Sequence, residues 1–406
     1  MAAWLELVVF LGVLTLVTPA LGGYMAAVFE GPDPAARRIG GRFERLVYRM
    51  CRIDEQHEMG WREYLAAAVI FSGVSALALL LILLVQFALP LNPQHFASLP
   101  PLLALNVAIS FMTTTNWQAY SGESALSYLS QMSLGWQNFV AAAVGLAVAI
   151  AAIRGFTRSS HATLGNFWVD LTRSAALSTA VATGTSSGAA NLAYDSLMPL
   201  SGLIALLNMQ IGEVIFGGVG SGLYGMILLA ILTVFIAGLM VGRTPEYLGK
   251  KIEQREITLV VIAALIPAAT MLVPTALALA PGLSATGNAG PHGFTEILYA
   301  FTSVSANNGS SMGGLNVQTD FYDILTGAVM LLGRFGTMIV ILALAGGLVA
   351  KVRNTTASSG TIDTTTPLFG GLLAATALIV TALTFVPADA LGPIAEQLLL
   401  RTGATF

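Results

Sequence analysis

Long apolar runs separated by short polar stretches organise this chain. They cover residues 4–29, 64–89, 126–153, 209–241, 257–280, 321–350 and 367–386. At a helical rise of about 1.5 Å per residue, each can cross a hydrocarbon layer of about 30 Å. The pattern predicts an all-α integral membrane protein. The first run opens Met-Ala-Ala-Trp-Leu-Glu, without a basic leader, and is read as a retained helix rather than a signal peptide.

Composition narrows the class. Of 406 residues, 55% are apolar and 10% are charged, against about 25% charged in soluble chains. So few charges cannot coat soluble domains, which excludes a soluble enzyme and a disordered chain. Cys51 is the one cysteine, so no intrachain disulfide and no cysteine metal cage can form. Histidines 57, 95, 161 and 292 are scattered, which argues against a multi-histidine zinc site. The net charge of -3 says nothing about partners.

Lys and Arg set the expected topology. They gather at Arg37–Arg62, at Arg154, Arg158 and Arg173, at Arg243, Lys250, Lys251 and Arg255, and at Lys351 and Arg353. Cytoplasmic loops carry such excesses, so these stretches are expected inside and both termini outside. One step does not fit. The chain is inside at Arg173 and must be outside before the run at 209, yet only the short, Ser/Thr/Gly/Ala-rich Ser174–Ala193 lies between.

Three connections share a further pattern: a short apolar stretch, a run of Thr, Ser, Asn and Gly, then an apolar run. Pro100–Met112 leads into Thr113-Thr114-Thr115-Asn116-Trp117-Gln118, Ser174–Thr183 into Thr185-Ser186-Ser187-Gly188, and His292–Ser305 into Ala306-Asn307-Asn308-Gly309-Ser310. Helix, re-entrant segment, helix is a pore-forming unit. A dehydrated cation exchanges water for protein oxygens, and backbone carbonyls of a short extended segment supply them. Glycine permits the dihedrals such a segment needs. A short helix ending there points its negative end at the ion.

Several longer motifs carry a resemblance. Thr115-Asn116-Trp117-Gln118, Gly212-Glu213-Val214-Ile215-Phe216-Gly217-Gly218-Val219-Gly220, Gly242-Arg243-Thr244-Pro245-Glu246-Tyr247-Leu248-Gly249-Lys250-Lys251, Gly290-Pro291-His292-Gly293-Phe294 and Asn307-Asn308-Gly309-Ser310 resemble the potassium-binding A subunit (KdpA) family of the bacterial Kdp K+-transporting ATPase. The resemblance implies fused helix–pore–helix repeats with a flanking helix at each end, in the bacterial plasma membrane. It implies K+ as transported ion, no cofactor, and no ATP chemistry in this chain. The implied partners are the catalytic P-type ATPase subunit (Kdp B) and small accessory subunits (Kdp C and F). The family has four filter segments, whereas three are recognisable here. Leu164–Arg173 looks like the start of the second repeat, and the chain then passes directly into what looks like the third filter.

The expected organisation is therefore a flanking helix at 1–30, a cytoplasmic loop at 31–63, a first repeat at 64–153, a loop and truncated second repeat at 154–173, a third-repeat remnant at 174–241, a loop at 242–256, a fourth repeat at 257–350, and a last helix at 367–386. Expected filter residues are Thr113, Thr114, Thr115, Asn116, Ser186, Ser187, Gly188, Asn307, Asn308 and Gly309, with Asn116, Gly188 and Gly309 at matching places. Gln118 resembles a position on the ion path. Glu213 and Arg334 are ionisable groups inside apolar runs and must face water or a partner. Glu213 could attract cations or pair with an arginine, and Arg334 could hinder leak or pair with Glu213. Arg243 could snorkel or gate. Glu246, Lys250 and Lys251 lie in a candidate docking surface for the ATPase subunit.

Other readings stay open: a passive K+ channel or symporter subunit, and a non-conducting form that keeps only partner binding. Gly220–Gly225 matches a dinucleotide fingerprint, but it lies in an apolar run with no βαβ unit around it and is rejected. Asn308-Gly309-Ser310 matches a glycosylation acceptor, a reading outranked by the filter.

Overall fold

The computed structural model describes residues 12, 16, 18–19, 22–23, 25–29, 41–181, 195, 198–215, 221–242, 244–353 and 363–401. The chain is mostly helical. A surface helix α1 (Gly41–Cys51) precedes α2 (Trp61–Val85), α3 (Pro101–Met112), α4 (Tyr128–Thr157), α5 (Phe167–Val181), α6 (Pro199–Ile215) and α7 (Ser221–Val241). A two-stranded hairpin, β1 (Glu246–Tyr247) and β2 (Lys250–Lys251), leads to α8 (Gln254–Ala278) and α9 (Gly290–Ser305). Then come α10 (Asp320–Leu331), a π-helical turn (Leu332–Gly336), α11 (Thr337–Val349), α12 (Pro367–Asp389), a second π turn (Ala390–Ile394) and α13 (Ala395–Leu400).

Local chemistry explains the starts. Pro101 and Pro291 occupy the first turns of α3 and α9, where a missing N–H costs nothing. Ser127 caps α4 by accepting from Ser130 N, and Thr366 caps α12 by accepting from Phe369 N. Glu253 and Glu256 form a reciprocal capping box at α8.

Among the described residues, six helical runs are long and apolar enough to cross a membrane: Trp61–Ala88, Tyr128–Thr157, Ser221–Val241, Gln254–Ala278, Asp320–Val349 and Pro367–Leu400. The central one is α4. It packs on α11, and its alanines Ala143, Ala147 and Ala151 share one buried cluster with Ile341, Leu344 and Leu348 of that helix, small residues allowing close helix approach. Ile70, Val74, Leu77 and Leu81 of α2 and Leu378, Ile379 and Leu383 of α12 face outward, as lipid contact requires. Of the first apolar run, residues 25–29 are helical, with Val28 and Phe29 packed on Leu146 and Ile150.

Three expectations are corrected. The run at 209–241 is not one span: α6 and α7 are separate helices packed on each other. Apolar continuity does not ensure helical continuity, and Gly217, Gly218 and Gly220 between them disfavour helix. Second, Arg154 and Arg173, read as loop cations, are buried. Arg154 holds Asp170 through both guanidinium nitrogens, at 2.5 and 2.9 Å, while Tyr64 Oη lies 3.0 Å from the same carboxylate. Arg173 Nε lies 3.9 Å from a Glu44 carboxylate oxygen. Burial was invisible because a lone Arg near an apolar run reads as interfacial until its acid partner is known. Third, Phe167–Val181 forms one helix, so the apolar stretch expected to start at Ser174 simply continues the helix begun before it.

The hairpin is anchored by Lys250. Leu248 and Gly249 take φ of +52° and +76°, the two-residue turn that matches strand twist. The Lys250 side chain is fully buried, and its ammonium donates to Gly155 O (2.9 Å), Leu348 O (2.8 Å) and Arg158 O. It thus neutralises the carbonyl ends of α4 and α11 together. Burial and the nearby Arg353 charge push its pKa down to about 8. Lys250→Met is expected to lower stability by about 2 kcal/mol, whereas Lys251→Met, at an exposed position, should stay within about 0.5 kcal/mol. Thermal unfolding in detergent measures both.

Candidate functional site

Helices α3 and α9 enter the bundle from the end opposite the hairpin, since each follows the far end of a long helix that starts near it. Both stop at a polar run, and the two runs share one backbone course. Past α3, Thr113 N bonds Ile109 O (2.9 Å), Thr114 N bonds Phe111 O (3.4 Å) and Thr115 N bonds Ser110 O (2.9 Å). Past α9, Ala306 N bonds Thr302 O (2.9 Å), Asn307 N bonds Val304 O (3.4 Å) and Asn308 N bonds Ser303 O (2.9 Å). Thr114 and Asn307 are left-handed (φ +61° and +51°), and so are Asn116 and Gly309 (+58° and +90°). This wrap closes each helix through its last carbonyls, after which the chain turns away.

The two runs also touch. Asn307 Nδ2 donates to Thr115 Oγ1 at 2.9 Å and lies 3.3 Å from Met330 O. A Cβ added to Gly309 would sit 1.9 Å from Thr115 O and 3.0 Å from Asn116 C. Only glycine allows that approach and that dihedral together. Side chains brace the runs from behind. Ser110 Oγ donates to Trp117 O (3.0 Å), Thr113 Oγ1 donates to Ile109 O (2.9 Å), and Tyr299 Oη lies 3.0 Å from Ser310 Oγ. Thr270 and Ser305 hydroxyls are 2.6 Å apart. The negative ends of two helices converge on one polar cluster, a setting that favours a cation without any carboxylate.

Thr113, Thr114, Thr115, Asn116, Asn307, Asn308 and Gly309 are thus brought into one cluster. Ser186, Ser187 and Gly188 lie outside the described residues, as do Arg243 and the Glu213 side chain. Gln118 is exposed just beyond the first run. Arg334 is buried in the π turn after α10, next to Gly333, whose added Cβ would meet Ser305 O at 2.3 Å. The turn carrying this cation therefore abuts the carbonyl end of α9. Glu246 is half-buried and Lys251 exposed on the hairpin. Lys250, expected on the docking surface, is corrected: it is buried and committed to carbonyls of its own chain.

A second cluster was not expected. His292 and Glu296 from the first turns of α9, Asp195 ahead of α6 and Glu396 of α13 come together at the far end of the bundle. His292 and Glu296 share one face of α9 at i, i+4, but Asp195 and Glu396 are distant in sequence, and no spacing rule brings them in.

With the geometry described, comparison with known proteins is direct. Residues 8–177 and 174–398 match the family described as potassium-transporting ATPase A subunit. The chain is similar to the potassium-transporting ATPase potassium-binding subunits of Mesorhizobium japonicum, 35% identical over 563 aligned residues with 99% of each chain covered, and of Rhodospirillum centenum, 37% identical over 570 with 99% of this chain and 98% of the relative covered. That of Anaeromyxobacter dehalogenans is 36% identical over 571, covering 98% of this chain and 99% of the relative. These alignments are longer than the 406 residues of this chain. On these matches, and on motifs that reach from the first polar run to the last, this multi-pass membrane protein belongs to the KdpA family.

Proposed function

We propose that the chain is the K+-binding, non-catalytic subunit of a Kdp-type K+-transporting ATPase, and that it acts with three filter segments where its relatives have four. The observation that carries this is the backbone identity of the runs at Thr113–Asn116 and Ala306–Gly309, which meet at Gly309 and the Thr115 carbonyl. K+ arriving from outside loses water against carbonyls of these runs and passes toward the catalytic Kdp B subunit, with Kdp C and F as accessory partners. ATP is hydrolysed there and not here. The repeats are read as 64–153 and 257–350, with 154–173 and 174–241 as remnants, both termini outside, and half-buried Glu246 and exposed Lys251 of the hairpin, with Arg243, toward the partner.

The missing second repeat is supported by the family match in two segments that meet at 174–177 and by aligned lengths of 563 to 571 against 406 residues. Helix α5 runs through that junction unbroken. Starting near the hairpin, α5 runs opposite to α3 and α9, so its negative end arrives from the wrong side for a third pore helix. A K+ ion needs oxygens all round, and an absent quarter leaves the ring open.

The test is K+ uptake in a potassium-transport-deficient bacterial strain that supplies normal partner subunits. The expected outcome is uptake at least about tenfold below that of a four-filter relative, a barrier difference of about 1.4 kcal/mol. Robust, K+-selective uptake would overturn the three-filter reading.

A further inference from the structure

The cluster at the far end of α9 holds two carboxylates and an imidazole whose donor atoms converge. Asp195, His292 and Glu296 each present one ligand atom, all within 4.8 Å of one another. His292 Nε2 is 3.1 Å from Asp195 Oδ1 and 4.0 Å from Glu296 Oε1. With metal–nitrogen and metal–oxygen bonds of about 2.0–2.1 Å, ligand atoms around a tetrahedral ion sit about 3.3 Å apart, and the two spacings straddle that value.

The other imidazole nitrogen makes the case specific. His292 Nδ1 lies 2.7 Å from Glu396 Oε1. Donating its N–H to that carboxylate leaves the Nε2 lone pair directed at the Asp195 carboxylate, with Glu296 beside it. At 3.1 Å from Asp195 Oδ1, that nitrogen needs a positive bridge, a proton or a metal ion, between itself and the carboxylates. A carboxylate holding the far nitrogen of a histidine is also the arrangement that orients metal-bound imidazoles.

The rest of the pocket is built around the same point. Glu296 is fully buried; Gly287 N donates to its Oε2 (3.0 Å) and Asn288 Nδ2 to its Oε1 (2.6 Å). Its Oε1 occupies room that exists only because residue 314 is glycine: an added Cβ would stand 2.2 Å away. Asp195 is 31% exposed and opens the cluster to solvent.

We propose that Asp195, His292 and Glu296 bind a divalent transition-metal cation of the Zn2+ class, with a water in the fourth position and Glu396 as the positioning residue. One nitrogen and two oxygen donors suit that class and not K+. The ion would fasten together the start of α9, the segment ahead of α6 and α13. Because α9 ends at Asn307–Gly309, this clasp would hold the far end of a helix that carries a filter run.

The experiment uses the full-length protein in detergent, stripped with a chelator, titrated with Zn2+ by calorimetry and with Co2+ as a spectroscopic reporter. One Zn2+ per chain, a raised unfolding temperature and tetrahedral ligand-field bands of Co2+ are expected. Asp195→Asn, at a partly exposed position and therefore expected to fold, and His292→Gln should abolish saturable binding. Glu396→Gln should weaken it about 10- to 100-fold. Absence of saturable binding by the unaltered protein, which would leave a proton on His292 as the bridging cation, overturns the proposal. So does Zn2+ binding of unchanged affinity in both Asp195→Asn and His292→Gln. Zn2+ binding is read without K+, so its failure leaves the K+ reading untouched.

Discussion

Gly309→Ala is expected to abolish K+-dependent stabilisation of this protein. The methyl group would land 1.9 Å from Thr115 O, a carbonyl of the facing run, at a φ of +90°. Two costs combine. The dihedral strains any residue with a Cβ by about 1–3 kcal/mol, and overpacking against backbone costs about 1–3 kcal/mol more. Whichever run yields, the carbonyls that meet there separate. A K+ affinity lower by about 100-fold or more, worth about 2.7 kcal/mol, is the expected readout. It is measured as the rise of unfolding temperature with K+ against the same concentration of a bulky organic cation. Gly73→Ala is the control. That glycine lies in α2 with nothing within 4 Å of an added Cβ, so it should gain up to about 1 kcal/mol from helix propensity and keep the K+ response. A Gly309→Ala protein with the normal K+ response would remove the contact between the two runs from the ion site.

Breaking the Arg154–Asp170 pair should give the largest loss of stability. The pair is bidentate and buried, and Arg154 also donates to Leu164 O at 3.2 Å. Arg154→Met leaves a buried carboxylate with the Tyr64 hydroxyl and the Arg173 charge but without its bidentate partner, and Asp170→Asn leaves a buried guanidinium without its bidentate counter-charge. Each is expected to cost about 3–5 kcal/mol. The double variant should cost clearly less than the sum, because removing both charges leaves neither one stranded. Unfolding temperatures of the four proteins in detergent give the cycle, and additive losses would mean that the pair contributes no coupling. The position of the pair gives it a particular task. Asp170 lies in the first turn of α5, shortly before residues 174–177 where the two family-matching segments meet. The tie to α4 therefore secures the helix in which those segments join, and loss of the pair should release that helix first.

Much of the membrane architecture was legible in the sequence because it depends on local pattern. Apolar length selects helices that span: four of the expected runs reappear within a few residues as Trp61–Ala88, Tyr128–Thr157, Gln254–Ala278 and Asp320–Val349, while the run expected at 367–386 starts where expected but its helical stretch continues to Leu400. The equivalence of Asn116 and Gly309 was legible too, because a short apolar helix followed by Thr, Asn and Gly has few ways to end, and both residues are left-handed. The division of 209–241 was not legible, since the partition of residues between water and lipid is the same for one helix as for two.

The sequence by itself determined the class of this protein, the stretches that enter the membrane and the two polar runs at the ends of α3 and α9, because polarity and backbone propensity act over a few neighbouring residues. The tertiary structure alone decided which charges are buried and with whom. Arg154 meets Asp170, Lys250 closes the ends of α4 and α11, and His292 joins Asp195, Glu296 and Glu396. A charge buried in a helical bundle is tolerated only beside its partner. Most of these partners are brought in by helices remote along the chain, so no local pattern announces them.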